Sequence, residues 1–490
     1  MSADSEATKN EPIVAINYDR SAVQVGIVHF GVGNFHRSHE AMYVDKLLRA
    51  GGSKEWGICG VGVLPSDTRM REALRGQALE YTLVERHPDG STPATRIGSI
   101  VEYLSAPTEL ESVLERLADP ATRIVSLTIT EGGYNISDAT GLFDTTTPAI
   151  IADAVPGAIP STVFGIVLAG LQLRRDRGTA PFTIMSCDNI EENGNVARAS
   201  FCAFAGLIDR ELGEWVAHEV RFPNSMVDRI TPVTTDADRD WVHNRFGVDD
   251  AWPVLSEGFE QWVLEDDFPL GRPTWEEVGV QLVQDVRPYE LMKLRLLNGS
   301  HQAMAYFGIL AGHTYVQEAA TDRDIVTLLT RFMSDEAELT LDPVPGVSLD
   351  EYKRQLIERF ANPYVGDTLS RLATDASDRI PKFVVPIARS LIASGKPAAL
   401  CAAVIASWAA YATMYVDGEP LPFRDRQEPA VRNAVELQRT EPNGFLRNRD
   451  WFGDLADDEQ FADDFARTFI ALTSGEGATR NALRRLIAAR

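Results

Sequence analysis

Four short apolar runs rich in β-branched residues mark the N-terminal part of the chain: "AVQVGIVHF", "WGICGVGV", "RIVSLTIT" and "FTIMSCDNI". Each is too apolar to leave one face in water, so each reads as a strand covered on both faces. Strands of that kind belong to parallel sheets. Helical patterns such as 34–50 and 107–117 separate them, and this alternation constrains the chain to a doubly wound α/β domain. Shorter strand candidates, "WPVLSEGF", "QWVLED" and "VGVQLV", lie between Met226 and Val283 and read as extensions of the same sheet. From about Pro288 strand signals nearly vanish. Long helical patterns replace them over 289–310, 322–339, 349–360, 382–394, 397–416 and 459–474. The expectation is two domains, an α/β domain over 1–285 and a mostly α-helical domain over 286–490.

Charge narrows the function classes. The chain carries 47 basic and 71 acidic residues, a net charge of −24. A phosphate-binding surface needs concentrated Lys and Arg, so nucleic acid and anionic membranes are poor partners for it. The four cysteines, Cys59, Cys187, Cys202 and Cys401, include no C-x-x-C pair. They signal neither structural zinc nor a redox pair, and such sparse use suits a reducing compartment. The opening "MSADSEATKNEP" lacks a basic region followed by an apolar run, so it reads as a mobile tail and not a signal peptide. The apolar, alanine-rich stretch from Leu400 to Tyr415 is shorter than a bilayer requires and reads as a core helix. The expectation is a soluble cytoplasmic protein.

The first strand runs into "GVGNFHRSH". Strand, glycine turn and helix start form the context of a phosphate-cradling loop, in which backbone amides and a helix N-terminus meet a pyrophosphate. Gly31 and Gly33 are the candidate glycines, although His36 stands where a third would usually fall. An ordinary tight turn reads the same way. Asp67, after the second strand, is placed to accept from a ribose diol, which favours NAD over NADP. Its other reading is a helix N-cap in "PSDTRM", and nearby Arg69 could neutralise a 2′-phosphate. Arg37, near the start of the helix, opposes the macrodipole unless an anion holds it. Cofactor phosphates and a neighbouring carboxylate are both candidates, with the phosphates preferred.

"RPYELMKLRLLNGSHQAMAYFG" is apolar nearly all round, so it reads as a buried helix. Yet Glu290, Lys293, Asn298 and His301 fall within an arc of about 140° on a helical wheel. Buried polar groups are costly unless paired or used. Burial of a lysine drives it toward the neutral amine, which can take a proton. The alternative is a Lys293–Glu290 ion pair on a partly exposed face. Asn189, in "SCDNIEENG" after the fourth strand, stands at the sheet edge where open α/β folds bind ligands. Its amide could donate to a carbonyl oxygen.

The segment "VRFPNSMVDRITP", from Val220 to Pro232, resembles the signature of the polyol-specific long-chain dehydrogenases, the mannitol dehydrogenase family. "GVGNFHRSH", "SLTITEGGY", "SCDN", "DDAWPV", "KLRLLNGSH" and "IPKF" follow the same family order, and the resemblance spans about 22 to 420. It implies an N-terminal Rossmann-type domain, a helical C-terminal domain and an active site in the cleft between them. It also implies oxidation of a sugar alcohol at a secondary hydroxyl, or reduction of the ketose, with NAD(P) and no catalytic metal. In the family pattern Lys293 is the general base, Asn298 and Asn189 are donors at the reacting oxygen, and His301 is a partner of a substrate hydroxyl. Val227, Asp228 and Arg371 match substrate contacts, joined by Arg379 and Lys382. Glu290 matches a carboxylate that passes protons to solvent. Gly31, Gly33, Asn34, Phe35, His36, Arg37, Asp67, Thr130 and Glu131 correspond to the cofactor side. Residue 379 tends to be lysine in mannitol dehydrogenases. Arginine there keeps the charge and changes reach and geometry.

The resemblance therefore predicts an NAD-dependent mannitol 2-dehydrogenase-like enzyme, with arabinitol and sorbitol as close alternatives and a monomeric state. A fructuronate or tagaturonate reductase of the same family is the runner-up, since Arg371, Arg379 and Lys382 could hold a substrate carboxylate. From another class, a nucleotide-binding sensor without catalysis would have little use for the Lys293/Asn298/His301/Asn189 set.

Overall fold

The computed structural model describes residues 11–137, 140–417, 423–475 and 477–488. Most of the opening tail expected from the sequence, residues 1–10, lies outside them. The chain divides into two compact units, Met1–Val286 and Arg287–Arg490.

The first unit is built on a five-stranded parallel sheet: β1 (Val25–Phe30), β2 (Gly57–Gly62), β3 (Ile100–Ser105), β4 (Ile124–Leu127) and β5 (Thr183–Ser186), in spatial order 3-2-1-4-5. This is the doubly wound order of a Rossmann-type sheet, with its switch point between β1 and β4. Both faces are covered because successive side chains alternate. Val28, Phe30, Val61, Val125 and Ile184 join one core with Leu117, Leu168 and Phe201. Ile27, Ile58, Ile124 and Met185 join another with Val44, Leu47 and Leu74. Each fully buried Leu, Ile, Val or Phe contributes about 1.5–3 kcal/mol.

Two readings of this unit need correction. The strands after residue 225 do not extend the parallel sheet. Val254–Glu257 pairs with Tyr81–Arg86 in a four-stranded mixed sheet, and Ser225–Asp228, Gln261–Glu265 and Gln281–Val283 form a three-stranded one. The expected helix over 34–50 is two helices, Asn34–Ser38 and Glu40–Arg49. The backbone leaves the helical region at His39 (φ −120°, ψ −97°). Its ring packs among Phe35, Tyr43 and Trp262, a tertiary contact that local periodicity does not carry.

The second unit is built of helices joined by loops, with no β-strand among its described residues and one isolated bridge, Tyr315 to Thr368. Its centre is Ala399–Asp417, where every residue from Leu400 to Ala412 is buried, as a core helix requires. No helix among the described residues is long and apolar enough to cross a membrane. The expected helix over 382–394 is broken into Ala376–Phe383 and Val385–Ala393, with Pro386 in the first turn of the second, where a missing N–H costs nothing. Glu428–Thr440 and Ala478–Ala488 are helices that the sequence reading did not name.

Candidate active site

The C-terminal edge of the parallel sheet carries the glycine turn. Gly31 follows β1 with φ +94°, and a Cβ there would stand 2.1 Å from the Thr128 carbonyl oxygen, so no other residue fits. Thr128, just after β4, donates its hydroxyl to the Gly31 carbonyl at 2.7 Å. The two loops at the switch point are thus tied together. Gly33 differs: its φ is −119°, and a Cβ would meet only the Gly31 carbonyl oxygen, at 3.7 Å. Space for a Cβ that the protein leaves open is what a backbone approached by a pyrophosphate requires. Asp67 accepts from the Val63 and Leu64 N–H groups through Oδ2 at 2.9 Å, which leaves Oδ1 for an incoming hydroxyl. Arg69 lies over the Trp252 ring at 4.7 Å. Thr130 holds a left-handed backbone (φ 64°) and, with Glu131, is exposed at the same edge. These residues fit a dinucleotide.

Arg37 is the exception. Its side chain is fully buried, donating to the Gly33 carbonyl, the Trp252 carbonyl and Asn34 Oδ1, and it packs over Tyr81. Its hydrogen bonds go to the protein's own oxygens, with Asp250 acting at longer range, so the arginine braces the turn from inside, where the sequence reading preferred the cofactor phosphates. Asn34 shares this task, donating to the Pro232 carbonyl and Thr234 Oγ1, both at 3.0 Å. His36 is also buried, with no hydrogen-bond partner at either ring nitrogen. Burial, then the neighbouring His29, Arg37 and His39, hold it well below the usual imidazole range. Phe35 stacks on His39 at 4.9 Å.

Asn189 is exposed beyond the end of β5. The loop that carries it is pinned from below. Asp188 accepts from the Ile129 and Thr130 N–H groups and the Tyr134 hydroxyl, and burial raises its pKa. Asn193 bridges the Asp188 and Ser225 carbonyls at 2.9 and 2.8 Å and accepts from the Ser225 N–H at 2.9 Å. Asn189 and the strand ending in Val227 and Asp228 are therefore placed by one buried amide. The arginine of the V-D-R signature, Arg229, is a clamp that sequence reasoning overlooked. Fully buried, it donates to the Ser38 and Glu257 carbonyls and pairs with Glu85.

In the second unit, Lys293 and Asn298 bound a π-helical turn, Lys293–Asn298, set between the α-helices Arg287–Met292 and Gly299–Leu310. The Gly299 N–H donates to the Leu294 carbonyl, an i→i+5 bond. Such turns interrupt α-helices mostly at functional sites. Glu290, Lys293 and Asn298 are 5–8% exposed, among buried Met292, Leu294, Leu296 and Leu297. The Asn298 side-chain Nδ2 is buried without a hydrogen-bond partner. A donor left unspent in an apolar wall costs about 1–3 kcal/mol and is explained by something that arrives to accept from it. The His301 ring stands 4.7 Å from Phe360.

Helix Ala376–Phe383 packs against this turn at Gly299. Arg379, on that helix, donates to the Arg371 and Leu372 carbonyls at 3.3 and 3.1 Å. Lys382 is exposed and reaches Asp378 at 3.0 Å. Arg371 is exposed and bidentate on Asp367.

Models of the mannitol dehydrogenase Rossmann domain and C-terminal domain match residues 25–277 and 285–473. A mannitol 2-dehydrogenase of Aspergillus fumigatus is 44% identical over 448 residues, covering 90% of this chain and 89% of that one. The structure of Pseudomonas fluorescens mannitol 2-dehydrogenase in ternary complex with NAD and D-mannitol superposes with a TM-score of 0.88 at 40% identity, covering 99% and 98% of the two chains. A D-sorbitol dehydrogenase in substrate-free form gives 0.86 at 36% identity, with 96% and 98% covered. The chain belongs to the mannitol dehydrogenase family.

Proposed function

We propose that this protein is an NAD-dependent polyol dehydrogenase that oxidises a sugar alcohol at a secondary hydroxyl, with mannitol and fructose as the first reversible pair. The observation that carries the reading is the buried π turn, which presents a lysine and an unspent amide in an apolar wall. Its support from relatives is the Pseudomonas enzyme, whose complex contains NAD and D-mannitol. Gly31, Gly33, Asp67 and the Thr130–Glu131 edge would hold the dinucleotide, which supplies a hydride acceptor when bound. In this reading Met1–Val286 is the cofactor-binding unit and Arg287–Arg490 supplies the base.

The residues divide the work as follows. Lys293 is the general base, and its amine takes the proton from the reacting hydroxyl. Asn298 and Asn189 donate to that oxygen as negative charge builds on it, a task that a zinc ion performs in other alcohol dehydrogenases. His301 orients a neighbouring hydroxyl, and Glu290 passes the proton onward. Val227, Asp228, Arg371, Arg379 and Lys382 are the candidates for chain length and stereochemistry.

Lys293→Ala should abolish most mannitol oxidation, and small amines added to the buffer should restore part of it. Near-normal turnover in Lys293→Ala would remove the lysine from the base role. Mannitol, arabinitol, sorbitol and fructuronate assayed side by side rank the substrates, and a clear preference for fructuronate would favour the uronate reductase instead.

A further inference from the structure

Beneath the glycine turn lies a buried polar cluster that none of these roles uses. His29, on β1, and Glu40, in the helix Glu40–Arg49, are at most 1% exposed, as are His36 and Ser126. His29 Nδ1 lies 2.8 Å from Ser126 Oγ and 3.1 Å from Glu40 Oε2, and its Nε2 lies 2.9 Å from Thr128 Oγ1. Ser126 donates to Glu40 Oε2 at 2.9 Å, and Thr128 donates to the Gly31 carbonyl at 2.7 Å.

Counting protons fixes the tautomer at Nε2. A hydroxyl has one proton to give. Thr128 gives its proton to a carbonyl, which has none to return, so His29 Nε2 must carry a proton and donate. At Nδ1 the Ser126 hydroxyl stands between the ring and Glu40, and Nε2–H is the same whichever of the two that hydroxyl serves.

His29, His36 and Glu40 could also suggest a metal site, since their ligand atoms lie within 4.8 Å of one another. The geometry opposes it. The two rings are stacked at 3.5 Å and 10°, so their in-plane lone pairs run parallel and do not converge. Both His29 nitrogens are engaged by hydroxyls as well. The charged and titratable groups facing the cluster are His36, Arg37 and His39 from the helices, and Asp188 and Cys187 from the loop after β5.

We propose that His29 is a positioning residue for the glycine turn: its Nε2–H donates to Thr128, whose hydroxyl then fixes the Gly31 carbonyl. The link to cofactor affinity rests on the NAD reading above: without the Thr128 hydroxyl held in this direction the Gly31 carbonyl is released and NAD binds more weakly.

The test combines two measurements on the full-length protein. Histidine ¹⁵N chemical shifts, assigned with His29→Gln, report the ring's proton count without cofactor. NAD titration by tryptophan fluorescence reports affinity for wild type, Thr128→Val and Thr128→Ser. The expected result is a His29 ring with its proton on Nε2 at neutral pH. Thr128→Val should bind NAD about three- to tenfold more weakly, the loss of one hydrogen bond, and Thr128→Ser should restore the affinity. An Nε2 without a proton at neutral pH overturns the tautomer. Unchanged affinity in Thr128→Val overturns the positioning role. Failure of the wild type to bind NAD instead overturns the cofactor reading and the affinity link together, while the ¹⁵N shifts still decide the tautomer.

Discussion

The two glycines of the turn should fail in different ways when each is replaced by alanine. At Gly31 the new methyl carbon would stand 2.1 Å from the Thr128 carbonyl oxygen and 2.8 Å from its carbon, on a backbone at φ +94°. The left-handed conformation costs about 1–2 kcal/mol for a residue with a Cβ. Relieving the clash costs about 1–3 more, and losing the Thr128 hydrogen bond about 1. Together Gly31→Ala should destabilise the first unit by about 3–6 kcal/mol. At Gly33 the backbone is ordinary, and the methyl would find only one oxygen at 3.7 Å. Its stability cost should stay within about 1 kcal/mol, the preference for glycine at a helix N-cap. Yet that methyl would occupy the space a pyrophosphate needs, so NAD affinity should fall by at least tenfold, about 1.4 kcal/mol. Urea unfolding followed by circular dichroism measures the first effect, and NAD titration measures the second. A Gly33→Ala protein that binds NAD normally would show that the cofactor does not approach this turn. A Gly31→Ala protein as stable as wild type would refute the steric reasoning itself.

Other outcomes follow from single residues. Asn298→Ala should lower kcat by about 10²–10³ with little change in stability, because the lost donor has no partner in the protein to forfeit. Steady-state kinetics beside thermal unfolding separate the two effects. Asp322 lies among opposing influences: burial raises its pKa, and hydrogen bonds from His313 and Arg480 lower it, with a net fall from 3.8 to about 2. A depressed carboxylate stabilises the fold above its unfolded pKa and loses that contribution as pH falls through the folded one. Asp322→Asn should thus cost roughly 2 kcal/mol at neutral pH, and the difference from wild type should close between about pH 4 and pH 2. A constant difference across that range in pH-dependent urea unfolding would count against the ion pair.

Legibility in the sequence followed how local each determinant is. β1, β2, β4 and β5 were readable because they are apolar on both faces. β3, at the sheet edge, carries Glu102 in "IVEYLS" and did not stand out. The glycine turn was readable from its neighbours, and its brace was not: Arg37 looks like an anion contact until the structure turns it inward to the Trp252 carbonyl, distant in sequence. The break at His39 depends on Trp262, more than two hundred residues away, so no window of sequence contains its cause. The same is true of the His29–Glu40–Ser126 cluster, whose members come from two strands and a helix and show no motif. Lys293 and Asn298 were found because polar residues in an apolar helix are conspicuous, although nothing in the pattern indicated a change of helix type.

That change matters for direction. In an unbroken α-helix successive residues turn by about 100°, so His301, eight positions after Lys293, would point about 80° away from it, and Asn298 about 140° away. A turn closed by i→i+5 bonds absorbs one residue without advancing the rotation. The phase of everything after it slips back by one step, which brings Asn298 to about 40° from Lys293 and His301 to about 20° on the other side. With Glu290 at about 60°, the spread of the four groups shrinks from about 140° to about 80°. One surplus residue in the coil thus gathers onto a narrow stripe four side chains that a regular helix would have fanned apart.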